Sequence, residues 1–345
     1  MTVHRERLVI DAANIAPGGT LVLLERLYGA LADAGFDFKL VVRARVAACF
    51  EERHVVRYDR FPLGRACLLR RVCRAFGCTR VLHFGNLATL RPLRGIRQEV
   101  YFHNLNIAFP DGGGVNGSRA RLKNELMAAW SRVTRRHVAR LYVQSAYVAE
   151  AVQRRLGYPA ERVYVRAFYP PAKPDPHYDG GAFDFVYPAA YYPHKNHDLL
   201  FAALSHLSRS QGLRPRVALI AEHSPELSGK IEACTRDGGN VCRLGPLSHA
   251  ACMSVVAASG GLVFPSLLES LGLPLVEAAL LGRPIICADL PYAHAAVIPS
   301  MVFPPLSVES LAGCMAVAIH LGVGPGRLRA RDQIHTLLRD LEHRH

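Results

Sequence analysis

Two glutamates eight residues apart, Glu269 and Glu277, bracket a turn suited to an anion. The stretch reads Phe264-Pro-Ser-Leu-Leu-Glu-Ser-Leu-Gly-Leu-Pro-Leu-Val-Glu-Ala278. A strand ends at Phe264 and a loop containing Gly272 follows. Pro274 then stands at the first position of a helix, which suits its fixed φ and missing N–H. The backbone N–H groups of Ser270, Leu271, Gly272 and Leu273 point outward at that helix N-terminus, and this geometry attracts a phosphate. Glu277 falls in the first helical turn. Carboxylates on either side of such a turn can accept hydrogen bonds from hydroxyls flanking a phosphate. A nucleotide sugar has that layout: sugar hydroxyls, diphosphate, ribose hydroxyls. Acids at a helix N-terminus are also favourable for the dipole alone.

Three further segments carry polar groups at strand ends. Val186-Tyr-Pro-Ala-Ala-Tyr-Tyr-Pro-His-Lys-Asn-His-Asp-Leu-Leu200 follows a strand and opens a helix. Its Lys195 can serve as a point charge on a leaving phosphate. His194 and His197 lack carboxylate or cysteine partners nearby and read as part of a helix start, so no metal site is expected. Asp11-Ala-Ala-Asn-Ile-Ala-Pro-Gly-Gly-Thr20 ends the first strand. Gly18 and Gly19 let the backbone come close to a ligand at a helix N-terminus. Tyr101-Phe-His-Asn-Leu-Asn106 puts His103 and Asn104 just past the carboxyl end of another strand, where open α/β sheets bind ligands.

These segments need a scaffold, and the chain spells one out. Strand-like runs alternate with helical stretches: Leu8–Ala12, Phe38–Val42, Val81–Phe84, Glu99–Phe102, Leu141–Gln144 and Val163–Ala167. A second series comprises Phe183–Pro188, Val217–Ala221, Val241–Leu244, Gly261–Phe264, Pro284–Ala288 and Met301–Phe303. The runs are continuously apolar, as strands buried on both faces of a parallel sheet should be. Phe168–Gly181 holds four prolines and two glycines and reads as a linker. The charge breaks there too. Residues 1–170 carry 28 Lys and Arg against 13 Asp and Glu, whereas residues 171–345 carry 14 against 15. The basic half predicts an anionic partner. The segment Leu63–Phe76 is the best membrane-contact candidate, with apolar Leu63, Cys67, Leu68, Val72 and Phe76 and interleaved Arg65, Arg70, Arg71 and Arg74.

Glu269 through Glu277 resembles the E-x7-E motif of retaining GT-B glycosyltransferases, in particular glycosyltransferase family 4. Val241-Cys-Arg-Leu-Gly-Pro-Leu-Ser-His249 and Gly282-Arg-Pro-Ile-Ile-Cys-Ala-Asp289 resemble the family's flanking segments. The likeness is close over about 183–322 and holds in outline before that. It implies an α/β GT-B fold, two doubly wound Rossmann-like domains facing across a cleft. Residues 1–170 would form the acceptor side, with a C-terminal helix within 327–345 crossing back to it. Residues 181–325 would bind the nucleotide-sugar donor. The resemblance implies that Lys195 neutralises the donor diphosphate, that Glu269 orients sugar hydroxyls and that Glu277 holds the ribose. It implies that Gly18 and Gly19 lie near the donor phosphates and His103 near the transferred sugar or acceptor. The family commonly has an arginine at the strand end before Lys195. Pro188-Ala-Ala stands there instead and resembles a bacterial surface-polysaccharide subgroup, which leaves the second phosphate contact unassigned.

The expected activity is sugar transfer with retention from a nucleotide sugar to a glycan or lipid-linked acceptor, without metal or other cofactor. An anionic membrane surface is a further expected partner, at the inner face of a cytoplasmic membrane. A catalytically silent scaffold and a basic nucleic-acid-binding protein are the alternatives. No Asp-x-Asp is present, which argues against a metal-dependent GT-A design. The basic half lacks the interleaved aromatics of a single-strand groove, so no nucleic-acid partner is expected.

Overall fold

The computed structural model describes residues 7–16, 18–58, 64–111 and 114–342. They fall into two units. The first is drawn from Met1–Asp111, Gly117–Pro170 and Arg331–His345, the second from Pro171–Ala330 with Gly112–Asn116.

The first unit is built on β1 (Leu8–Asp11), α1 (Gly19–Asp33), β2 (Phe38–Val42), α2 (Ala44–Ala47), β3 (Val55–Arg57), α3 (Arg65–Phe76), β4 (Arg80–His83) and β5 (Arg97–Phe102). α4 (Ser118–Thr134), β6 (Val138–Val143), α5 (Ala146–Leu156) and β7 (Val163–Val165) complete its continuous part. Its seven strands run in the order β3-β2-β1-β4-β5-β6-β7. All pairings are parallel, with Leu8 opposite both Phe38 and Arg80. The order reverses between β1 and β4, which makes their carboxyl ends the ligand-binding crevice of such a sheet. Val9, Ile10, Leu40, Val41, Val81 and Leu82 are wholly buried. Each such side chain contributes roughly 1.5–3 kcal/mol relative to exposure.

The second unit repeats the plan with β8 (Phe185–Pro188), α6 (His197–Gln211), β9 (Arg216–Ile220), α7 (Pro225–Arg236), β10 (Asn240–Arg243) and α8 (His249–Ala258). Next come β11 (Leu262–Phe264), α9 (Leu273–Leu280), β12 (Ile285–Ala288), α10 (Pro291–Ala296), β13 (Val297–Ile298), β14 (Met301–Phe303), α11 (Val308–Leu321) and β15 (Arg327–Leu328). Its six-stranded parallel sheet runs β10-β9-β8-β11-β12-β14, so the switch point lies between β8 and β11. The last helix, α12 (Ile334–Glu342), belongs to the first unit. It buries Ile334, Leu337, Leu338 and Leu341. Arg166 Nε donates to Asp340 Oδ2 at 2.6 Å, Arg140 donates to the Asp340 carbonyl at 3.1 Å, and Arg80 to the Leu341 carbonyl.

The proline-rich stretch contains the division between the units at Pro170–Pro171, and the Asp175 N–H donates to Ser254 Oγ of α8 at 2.9 Å. Two expectations need revision. α3 does not present its apolar residues outward. Leu69 and Cys73 are buried in the core, and Leu68, Val72 and Phe76 pack against the same cluster. Cys67 is exposed, and Leu63 lies outside the described residues. Arg65, read as a surface charge, is only 4% exposed. No helix among the described residues is long and apolar enough to cross a membrane.

Candidate functional site

The switch point of the second unit brings Lys195 and Glu269 together. Pro193–Lys195 forms one 3-10 turn after β8, and Asn196, at φ 54°, turns the chain into α6. The buried Tyr187 donates its hydroxyl to the Lys195 carbonyl at 2.5 Å, and the Leu267 N–H donates to the His194 carbonyl at 2.7 Å. The two loops are thereby fastened together. Lys195 Nζ lies 2.5 Å from Glu269 Oε1, and Ser266 Oγ donates to the same oxygen at 2.7 Å. Both charged side chains keep a little solvent access, at 17% and 14% exposure. Glu269 Oε2 has no hydrogen-bond partner among the described residues. The ion pair therefore offers a held ammonium and an open carboxylate oxygen side by side.

The N-terminus of α9 completes this end of the sheet. Gly272 is its N-cap at φ 72°, and no side chain caps it. That positive φ favours glycine, and a Cβ there would also lie a tight 3.0 Å from Leu275 Cδ1. The helix begins at Leu273, with Pro274 in its second position. This places Glu277 one residue deeper than the sequence suggests, just past the first turn. Glu277 is 5% exposed, and His249, the first residue of α8, meets its Oε1 at 2.8 Å. His249 closes the family-like segment Val241–His249, but the sequence gives it no role of its own. Its role follows from α8 lying beside α9.

His194 and His197 are not paired with each other. Neither caps α6 by a side-chain hydrogen bond, contrary to the expected helix-start role. His194 stacks on Tyr192, and His197 Nε2 donates to the Ala189 carbonyl at 3.2 Å. Burial pushes both imidazoles down to about 4.

In the first unit, Gly18 caps α1 at φ 113°, a conformation that favours glycine, and Gly19 is the first helical residue. Beside this loop, at the ends of β1 and β4, lies a buried ionic cluster. Arg65 Nε donates to Asp11 Oδ2 at 2.6 Å, and His83 Nδ1 lies 2.7 Å from the same oxygen. His83 Nε2 lies 3.0 Å from Gln98 Oε1. Burial alone would raise the Asp11 pKa, but Arg65 and His83 outweigh it and hold the carboxyl well below the usual range. Arg65 also donates to the Leu87 carbonyl at 2.6 Å. The cluster thus anchors the connection that follows β4.

That connection holds His103. Asn86 has φ 71°, unusual for a non-glycine residue, and its Oδ1 accepts the N–H groups of His103 and Asn104 at 2.7 and 2.9 Å. His103 Nε2 donates to the Phe84 carbonyl at 2.9 Å, while Nδ1 is buried without a partner. Burial lowers the His103 pKa to about 4. The neutral ring therefore carries an unsatisfied acceptor, which in a folded protein calls for an explanation. Asn86 is a second residue that sequence reasoning missed. A positive φ at asparagine leaves no pattern in the sequence.

One consequence is measurable. His103, His194 and His197 each bind a proton more weakly folded than unfolded, so the unfolded chain holds more protons between about pH 6.5 and 4. Stability should be full above that window and fall as pH drops through it. Thermal unfolding between pH 7.5 and 4.5 is expected to show a falling midpoint from below about pH 6.5. A midpoint constant down to pH 5 would contradict the burial of these rings.

Residues 172–322, most of the second unit, match the family model described as glycosyl transferases group 1. No curated protein matches the chain. Sucrose-phosphate synthase from Thermosynechococcus elongatus superposes with a TM-score of 0.74 at 16% identity, over 98% of this chain and 94% of that one. HepE of Anabaena, solved with UDP-glucose, gives 0.70 at 16% identity, over 98% and 96%. WaaG, a glycosyltransferase involved in lipopolysaccharide biosynthesis, gives 0.70 at 16% identity, over 91% and 90%. The fold is therefore GT-B, two parallel-sheet α/β units of seven and six strands.

Proposed function

We propose that the protein transfers a sugar, with retention, from a nucleotide-sugar donor to an acceptor hydroxyl. The observation that carries this reading is the Lys195–Glu269 pair beside the open N-terminus of α9. An ammonium and outward peptide N–H groups suit a diphosphate, and a neighbouring carboxylate suits sugar hydroxyls. The group 1 match over the same unit supports it, as does UDP-glucose in the HepE structure.

In the proposed reaction, the bond between the anomeric carbon and the donor diphosphate breaks. Negative charge grows on the diphosphate, where Lys195 and the N–H groups of Ser270, Leu271, Gly272 and Leu273 stabilise it. The departing diphosphate takes the acceptor proton on the same face, since the reading invokes no protein nucleophile. Glu269 Oε2 orients sugar hydroxyls. Glu277, steadied by His249, holds the ribose through its second oxygen. Gly18 and Gly19 serve the donor phosphates, and His103 Nδ1 accepts a hydrogen bond from a sugar or acceptor hydroxyl. Positive charge comes from Lys195 and the helix terminus, so no metal cofactor is proposed and a chelator should leave activity intact. Screening UDP-, GDP- and TDP-sugars for thermal stabilisation and slow hydrolysis tests the whole reading. Inertness toward every one of them would rule it out.

Glu277→Ala should weaken donor binding without unfolding the chain. A lost charged hydrogen bond is worth about 1.5–3 kcal/mol, or roughly 10- to 150-fold in Kd. Unchanged affinity by calorimetry would remove Glu277 from the ribose site.

A lipid-linked acceptor and a peripheral stay at an anionic, inner-face membrane surface belong to the same proposal. The better contact is α4 rather than α3. Leu122, Leu126 and Val133 are 63%, 64% and 51% exposed, spaced to share one helix face, with Arg119, Lys123 and Arg132 nearby. Leu122→Ser/Leu126→Ser should reduce cosedimentation with anionic vesicles.

A further inference from the structure

The first unit has a second basic concavity, at the amino ends of β4 and β5, away from Asp11, His83 and His103. Its volume is about 670 Å3, within the range of small-molecule sites. Arg70 and Arg74, one turn apart on α3, form one wall, and Arg91 and Arg94, between β4 and β5, form the other. Cys73 and Ile96 line it between them. Arg70 Nη2 donates to the Pro92 carbonyl at 2.6 Å and ties the walls together.

Four guanidinium groups around one hollow repel one another. Some other arginines of this chain pair with acids, as in Arg57–Glu52, Arg97–Glu99 and Arg154–Glu150. None of these four has a carboxylate partner among the described residues. The sequence explains why: from Arg65 to Gln98 there are eight arginines and no Asp or Glu. The end of α3 would otherwise turn bare carbonyls toward an anion. It is capped instead, by the Gly77 N–H on Arg74 O, the Cys78 N–H on Cys73 O, and Arg7 Nη1 on Phe76 O. The charged groups of the lining are all arginine, whose planar fork matches phosphate oxygens in pairs where lysine offers a point charge.

We propose that this concavity binds a phosphate or diphosphate group carried on a larger molecule. The size of the hollow exceeds what a bare ion fills, and the rim supplies enough donors for two phosphates. The group belongs either to a soluble phosphorylated compound or to the phosphomonoester headgroup of a lipid. The proposal concerns a different unit from the donor site and stands whether or not a nucleotide sugar binds there.

The test is calorimetric titration of the full chain with inorganic pyrophosphate. Arg74→Gln/Arg91→Gln/Arg94→Gln should weaken a saturable binding event by roughly tenfold or more, with Arg91→Gln alone giving a smaller loss. Lys195→Ala should retain that event, which separates it from any binding in the second unit. Arg119→Gln/Arg121→Gln/Lys123→Gln removes as much charge from α4 and should leave it unchanged. Cosedimentation then identifies the source. Pelleting by phosphatidylcholine vesicles doped with phosphatidic acid, reversed by pyrophosphate, assigns a lipid headgroup; pyrophosphate binding without such pelleting assigns a soluble compound. Equal affinity in the wild type and the first triple variant, an equal loss in the α4 variant, or no saturable binding by the wild type would each overturn the proposal.

Discussion

Lys195→Ala is expected to lower turnover by roughly 10²- to 10³-fold, about 2.7–4 kcal/mol of transition-state stabilisation, with a much smaller change in donor Kd. The asymmetry follows from where charge develops. The diphosphate of a bound donor is already anionic, but its bridging oxygen gains charge only as the glycosidic bond breaks. In the proposed reaction Lys195 meets that charge from a fixed position, with Glu269 2.5 Å from its Nζ and the Tyr187 hydroxyl on its own carbonyl. Single-turnover rates at saturating donor, set beside calorimetric affinities, separate the two effects. Equal losses in rate and affinity would make the lysine a binding group. No loss in either would leave it with a structural task, joining the loops that follow β8 and β11. Glu269→Gln offers a second view, since it keeps the shape of the pair and removes the charge that positions the ammonium.

Arg65→Ala should destabilise the first unit by about 3–5 kcal/mol, because it strands a fully buried carboxylate. Asp11 is wholly buried, and Arg65 supplies its hydrogen-bonded cation. For a unit of this size each kcal/mol shifts the midpoint by roughly 2–4 °C, so the loss reads as about 10 °C in thermal unfolding. Arg65→Met combined with Asp11→Asn should lose less than Arg65→Ala alone, since the second change removes the orphaned charge. A loss under about 1 kcal/mol for Arg65→Ala would mean that water reaches Asp11 and that the pair behaves as a surface one.

The parts that were legible in the sequence share a property: they are local. Phe38–Val42 can be delimited from its run because a parallel strand buried on both faces carries its signal in consecutive residues. Glu269, Gly272 and Glu277 lie within one strand–loop–helix passage. The illegible parts depend on distant partners. Arg65 sits among surface arginines in the sequence, and distant partners, Asp11, His83 and the Leu87 carbonyl, draw it inside. His249 and Asn86 acquire their roles by meeting Glu277 and His103 in space. The strand Val55–Arg57 offers only Val55 and Val56 as apolar residues, between His54 and Arg57, which is too short a run to detect. α9 starts at Leu273 rather than Pro274, a one-residue shift of the kind that helix ends commonly show, and this carries Glu277 just past the first turn.

The return of α12 to the first unit sets an order of events during synthesis. The ribosome releases residues 1–170 first, yet the surface that receives Leu337, Leu338 and Leu341 stays uncovered until α12 has been made, after the whole second unit. Arg80, Arg140 and Arg166 likewise wait for the backbone and side chain of Asp340 and the carbonyl of Leu341. The second unit has no such debt to later residues and can close while its last strand is still near the exit tunnel. The half that is made first is therefore the half that matures last. A nascent chain stalled before Ile334 would present a finished second unit beside a first unit with an uncovered apolar groove, the form most exposed to chaperones and proteases.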